Sequence, residues 1–252
     1  MGLSVAYVDA DIAQTTVGPP TCVGLRRLSS EADLDDLASS DELRFVGSIT
    51  PDRLRLQQVI ATASLVESAR ADSDLIVIDT TGSVSGVIGE TLKYHKVELC
   101  RPDSVVALQR GSEMEPIVGL LRRFFSVQVE TVPVHPGVVA SSPGERASAR
   151  ASQFAHALSG EQQKWRVKPT VFAPTLPTGL NLARLDGMLV GIHDRDGRCL
   201  GLGVLEHDED ALRVVTAFGE GMAGLRLGSL KLDQVTYQTT GVNLREVMFG
   251  LE

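Results

Sequence analysis

The stretch Val5-Ala6-Tyr7-Val8-Asp9-Ala10-Asp11-Ile12-Ala13-Gln14 decides how the chain is read. Residues 4–8 read as a β-branched, largely apolar strand, and the polar cluster behind them ends it with two carboxylates and an amide. Val17-Gly18-Pro19-Pro20 then turns the chain. The same grammar recurs at Leu75-Ile76-Val77-Ile78-Asp79, followed by the small-residue loop Thr80-Thr81-Gly82-Ser83-Val84-Ser85-Gly86. Open parallel sheets bind ligands at the carboxyl ends of their strands. Two acid-tipped strands therefore imply a phosphate and metal site built between them.

Outward from these strands the chain alternates. Ser29 or Ser30 caps a helix start, 43–49 reads as a strand, and Thr50-Pro51-Asp52 opens a helix with proline at its first position. Leu54, Leu56, Val59, Ile60, Ala63, Leu65 and Val66 supply that helix with an apolar stripe. A helix from Gly86 to about Leu99, a strand at 103–108, a helix from about Glu113 to Phe125 and a strand at 127–134 follow. Such alternation is the mark of a mostly parallel sheet with helices on both faces. A loop at 135–145 leads to a helix at about 145–158. Beyond Lys168-Pro169, glycines and prolines punctuate short strands at 188–192 and 200–205, joined by a hairpin turn at Asp194-Arg195-Asp196-Gly197. Two units are expected, an α/β part over 1–168 and a small all-β part over 169–252.

At 252 residues the chain is long enough for a sizeable core. It is 43% hydrophobic and 22% charged, with no apolar run of membrane-spanning length. Its net charge of −8 argues against nonspecific coating of nucleic acid, which rests on phosphate neutralisation, but leaves room for a local basic groove. Cys22, Cys100 and Cys199 are scattered and odd in number, as expected of buried thiols in a reducing cytoplasm, and no secretory leader opens the sequence.

Phosphoryl transfer needs an amide cradle, a cation, a metal held by acids and hydroxyls, and a group to orient the nucleophile. Asp11 suits proton acceptance from a hydroxyl or the holding of a magnesium-bound water, with Gln14 to orient; Asp9 and Asp11 as mere turn caps is the competing reading. Asp79 ends its strand as a metal-holding acid does, Thr80 and Thr81 offer hydroxyls to phosphate, and Gly82 and Gly86 admit close approach; a helix cap is the plain alternative. Arg146 and Arg150, four apart, share a helix face, fit either to clamp a transferring phosphoryl group or to be solvated. The five histidines show no metal spacing. Trp165 and Tyr237 are readable as base-stacking groups or as packing.

Together these residues resemble the polynucleotide 5′-hydroxyl kinase family of RNA processing, which includes the kinase subunit of the pre-mRNA cleavage machinery, the ribosomal-RNA processing kinase and archaeal enzymes. The resemblance runs through 8–14, 17–21, 45–51 and 78–82 and covers most of residues 4–160. It implies a P-loop NTPase-like fold with ATP and Mg2+ as cofactors and an RNA or DNA 5′ end as partner. It also places Asp11 and Gln14 beside the 5′-hydroxyl and metal, Thr80 and Gly82 in a substrate clasp, and Arg146 and Arg150 in a lid. Ala13 stands where glycine is usual, and Ser83 where many eukaryotic members carry a base-stacking tryptophan.

In that family a strand, a G-x-x-x-x-G-K-[ST] loop and a helix precede the strand at Val5, and no such loop occurs in the 252 positions. A fold missing its first strand-loop-helix is therefore expected, with a free sheet edge that another polypeptide would cover. Little kinase activity is expected of the chain alone, since removing even one preorganised donor costs about 10²- to 10³-fold in rate. The alternatives are a noncatalytic interaction module and an NTP-hydrolysing switch on the same fold.

Overall fold

The structure, a computed structural model, describes residues 2–208 and 211–250, so the outermost residues of both expected units lie outside it. The first part runs β1 (Val5–Ala10), β2 (Cys22–Leu28), β3 (Glu42–Phe45), α1 (Pro51–Arg70), β4 (Leu75–Thr80), α2 (Gly86–Cys100), β5 (Ser104–Gln109), α3 (Glu115–Phe124), β6 (Gln128–Pro133) and α4 (Pro143–Ala157). β1 and β4, the two acid-tipped strands, lie side by side and parallel, with Asp9 opposite Asp79 and Ala10 opposite Thr80. Their tips therefore share one end of the sheet.

Among the described residues the strand ladders that run parallel are β1–β4 and β5–β6, beside one isolated parallel bridge between Phe172 and Leu225. β2 runs antiparallel to β1, and β3 antiparallel to β2, giving the order β3-β2-β1-β4. β2 escapes the sequence reading because Gly24, Arg26 and Arg27 interrupt its apolar pattern and no helix separates it from β1. The expected helix after Ser30 is a short 3-10 turn over Glu31–Asp36. Among the described residues β4 and β5 form no ladder with each other, although α2 joins them. The sheet is thus split, and the halves leave apolar side chains in water: Val77 is 45% exposed, Val106 56% and Leu108 61%.

α1 packs on β1 and β2 through Ala61, Leu65, Val66 and Ala69, against Ala6, Val8, Ala10, Val23 and Leu25. Leu56 and Ile60, expected in its apolar stripe, are exposed, and the helix bends at Leu54. Its buried face instead carries Gln58 and Thr62 under the end of β1.

The second sheet has the order β12-β11-β8-β9-β10-β7, from β7 (Gln163–Arg166), β8 (Met188–His193), β9 (Cys199–Asp208), β10 (Ala211–Thr216), β11 (Gly224–Leu232) and β12 (Thr239–Gly241). β7 precedes the expected boundary at 168/169 yet pairs with β10. A closing helix, α5 (Leu244–Phe249), accompanies these strands. Trp165 packs against the core of this sheet, and Tyr237 against a third cluster formed by Cys22, Phe45, Phe154, Leu189, Cys199 and Leu202. That cluster joins the two parts. Gly47, at φ +86°, accepts at its carbonyl from the Ser229 N–H at 2.7 Å, and a Cβ on it would stand 2.8 Å from the Gly228 Cα.

Candidate active site at the strand tips

Asp9 and Asp11 have different surroundings. Asp9 is fully buried; its Oδ1 accepts the Asp11 N–H at 2.9 Å, and its Oδ2 accepts the Val17 N–H at 3.0 Å and the Thr16 N–H. Burial pushes its carboxyl up to about 6, against the opposing pull of those backbone N–H groups. Asp9 therefore shapes the loop from inside. Asp11 is half-buried, and its Oδ1 accepts from the Ala13 N–H at 2.9 Å and the Gln14 N–H at 3.1 Å. No described residue hydrogen-bonds its Oδ2. Asp11 thus caps a turn through Oδ1 and is partly accessible, while Gln14 is exposed.

On β4, Asp79 is exposed; its Oδ1 accepts the Thr80 N–H at 2.7 Å and its Oδ2 the Tyr7 hydroxyl at 3.3 Å. Burial and the charges of Asp79 and Asp9 hold the Tyr7 hydroxyl up at about 12, so it remains a donor. Thr81 is buried, and Gly82 is open to solvent with nothing near the place of a Cβ.

Two residues the sequence reading passed over stand beneath these loops. Lys93 and Lys96 of α2 are buried, at 8% and 4% exposure. The Lys93 ammonium donates to Thr80 Oγ1 at 2.7 Å and to the Thr81 carbonyl at 2.6 Å. Lys96 donates to the Ala10 carbonyl at 3.3 Å, an oxygen that also accepts from Gln58 Nε2 at 2.9 Å. Burial lowers Lys93 to about 8 and, helped by the charge of Lys93, Lys96 to about 7; Asp11 and Asp79 oppose both shifts. The legible signal was the stripe Gly89, Leu92, Lys93, Lys96, Cys100, which puts two of the chain's five lysines on the core-facing side of a helix.

α4 brings the arginines. Ser142 and Glu145 cap it reciprocally, through the Glu145 N–H to Ser142 Oγ at 3.2 Å and the Ser142 N–H to Glu145 Oε2 at 2.7 Å. Phe154, fully buried in the third cluster, pins its second half, and Gln153 Nε2 donates to the Thr15 carbonyl in the loop after β1. In the exposed first half, Arg146 donates to the Ser141 carbonyl. Burial and the Arg146 charge lower the Arg150 guanidinium, and Asp11 opposes them. Arg150 therefore feels both Arg146 and Asp11.

Among the described residues no group of three or more His, Cys, Asp or Glu is disposed to hold a metal. Magnesium commonly takes one or two carboxylates with the rest of its shell from substrate phosphates and water, and the donor pair Asp11 and Asp79 fits that mode alone. All three cysteines are buried and free, and no helix among the described residues is long and apolar enough to cross a membrane.

A parallel strand pair packed against helices, followed by a separate antiparallel β sheet, gives the chain a P-loop-like α/β fold with a C-terminal β part. The family described as mRNA cleavage and polyadenylation factor CLP1 P-loop matches residues 1–159, and the chain belongs to it. It is 36% identical over 118 residues to a polyribonucleotide 5′-hydroxyl-kinase of Pyrococcus horikoshii, across 46% of this chain and 32% of that protein. With the enzyme of that name from Pyrococcus furiosus it shares 25% over 305 residues, covering 99% and 79%, and with that of Methanocaldococcus jannaschii 23% over 295 residues, covering 93% and 80%. The match thus spans about a third of the Pyrococcus horikoshii protein. A solved Clp1p–Pcf11p complex superposes with a TM-score of 0.68 at 13% identity, over 92% of this chain and 69% of that one, which shows the shared fold.

Proposed function

We propose that the chain is the substrate-binding and lid portion of a polynucleotide 5′-hydroxyl kinase, binding an RNA or DNA 5′ end at the tips of β1 and β4. One observation carries this reading: β1 and β4 end in register, Lys93 and Lys96 of α2 donate to the tips of both strands, and Gln153 of α4 donates to the loop after β1. This supports assigning acid, substrate loop and arginine helix to one site. Thr80, Thr81 and Gly82 hold the terminal nucleotide, and Gln14 orients its 5′-hydroxyl. Asp11 accepts the proton of the 5′-hydroxyl as the hydroxyl oxygen bonds to the γ-phosphorus of ATP and the bond from that phosphorus to the β-phosphate oxygen breaks, releasing ADP, while Arg146 and Arg150 offset the charge that develops. ATP would supply the phosphoryl group, and a magnesium ion held by Asp79 and, through a bound water, by Asp11 would neutralise charge there.

The division into a kinase-like part over 1–168 and a β part over 169–252 belongs to the same reading, as does a cytoplasmic location. A polypeptide that covers the free edges of β4 and β5 is its partner, a role supported by the Clp1p relative having been solved with Pcf11p. These 252 residues contain no G-x-x-x-x-G-K-[ST] loop, so by themselves they transfer little or no phosphate. Labelled-phosphate transfer from ATP to a 5′-hydroxyl oligonucleotide tests this, using the chain and a version extended by a strand, phosphate loop and helix. Transfer by the extended chain, lost in Asp11→Ala, supports the kinase; transfer surviving that change sinks the site. ATP hydrolysis without transfer would point to the switch, and RNA binding with neither reaction to the interaction module.

A further inference from the structure

We propose that Lys93 and Lys96 are positioning residues: α2 uses them to fix the two strand-tip loops relative to each other and to set positive charge beneath Asp11 and Asp79, so that the cleft accepts a phosphodiester chain.

The inference rests on the functional reading above and deepens it. β1 and β4 end in register, but each tip leads into its own loop, and among the described residues no hydrogen bond ties the Asp11 loop to the Thr80–Gly82 loop. The bracket comes from below. Two lysines one turn apart on a single helix reach one loop each: Lys93 grips Thr80 and Thr81, and Lys96 reaches the peptide that leads into Asp11. Gln58 from α1 meets Lys96 at the same carbonyl. The Gln58 side chain is fully buried and its Oε1 has no partner. A fold selected for stability alone has little use for two desolvated ammonium groups and an orphaned amide oxygen under two loops, because such groups cost free energy.

Charge supplies the reason for keeping them. Two carboxylates near a strand tip repel a polyanion, and the Lys93 ammonium, joined by the share of Lys96 that is protonated near pH 7, offsets that field from low-dielectric surroundings far better than a solvated surface lysine does. Asp11 and Asp79 in turn favour the charged form of both lysines.

The test measures binding of a 3′-fluorescein oligoribonucleotide with a free 5′-hydroxyl to the full chain, beside thermal melting and amide hydrogen exchange. Lys93→Met keeps the length and loses the charge and both hydrogen bonds. We expect it to weaken binding on the order of tenfold or more, to speed exchange across 80–86, and to leave the melting temperature unchanged or raised. Lys93 acts through Thr80, so Thr80→Val should cost much less in the Lys93→Met background than alone; additive effects would overturn the mechanism. Lys96→Met should loosen 11–14 in the same way. Unchanged affinity in Lys93→Met, with the parent binding normally, overturns this inference and leaves the functional reading standing. A large fall in melting temperature also overturns it, since Lys93 would then be a structural tie. If the parent chain itself fails to bind, the functional reading falls and takes this one with it.

Discussion

Asp9 and Asp11 stand two positions apart, and burial gives them different work. Asp9 accepts three backbone N–H groups inside the protein. Asp9→Ala leaves those donors unpaired, and we expect a stability loss of about 2–4 kcal/mol by urea unfolding. Asp11→Ala gives up two exposed-side turn bonds and should cost under about 1 kcal/mol while abolishing transfer in an extended, active chain. Lys96 sets a pH dependence. Its folded-state value of about 7 lies below the ordinary 10.5, so between these values the unfolded chain holds the proton and the folded chain does not. Stability therefore rises with pH across that window, by at most about 1.4 kcal/mol per unit, and its cost is fully present below pH 7. The groups acting on it are Lys93 and Cys100 of α2, Asp11 beyond β1 and Asp79 of β4. Melting curves from pH 7 to 10 should show this rise in the parent chain and a weaker one in Lys96→Met.

At the scale of elements, α4 is both cover and anchor. Its arginines lie in the exposed first half, and Phe154 locks the second half among residues of β2, β3, β8 and β9. Movement of the arginines is thereby limited to the capped first turns. Phe154→Ala should cost about 3–5 kcal/mol, read by urea unfolding, and should raise amide exchange along the whole of α4. The sequence disclosed this helix, its approximate ends and the shared face of Arg146 and Arg150, because those follow from local spacing. It did not disclose that Phe154 is the anchor, since the partners come from strands 35 or more residues away in sequence. β2 and β7 were missed for the same reason: each is short or interrupted, and each is strand only because a neighbour supplies its hydrogen-bonding edge.

At the scale of the molecule, the split between β4 and β5 is the dominant feature. Two strand edges face no partner among the described residues, and Val77, Val106 and Leu108 are exposed on them. Free apolar edges template association. We expect the chain to self-associate at high concentration, and Val106→Lys with Leu108→Lys to suppress this in sedimentation velocity while changing stability by less than about 0.5 kcal/mol each. If sedimentation is the same with and without the two lysines, these edges do not drive association.

The acid-tipped strands and, apart from β2 and the turn after Ser30, the order of helices and strands through residue 158 were legible in the chain, and Asp11, Gln14, Asp79, Thr80, Thr81, Gly82, Arg146 and Arg150 could be chosen there as candidates, because each depends on the period of apolar residues and on neighbours a few positions away. Tertiary structure alone decided that Asp9 is fully buried and Asp11 only partly so, that Lys93 and Lys96 bond the two strand tips from beneath, and that the parallel strands fall into two separate ladders. Those outcomes depend on burial and on contacts between residues far apart in sequence, and neither is written in local pattern.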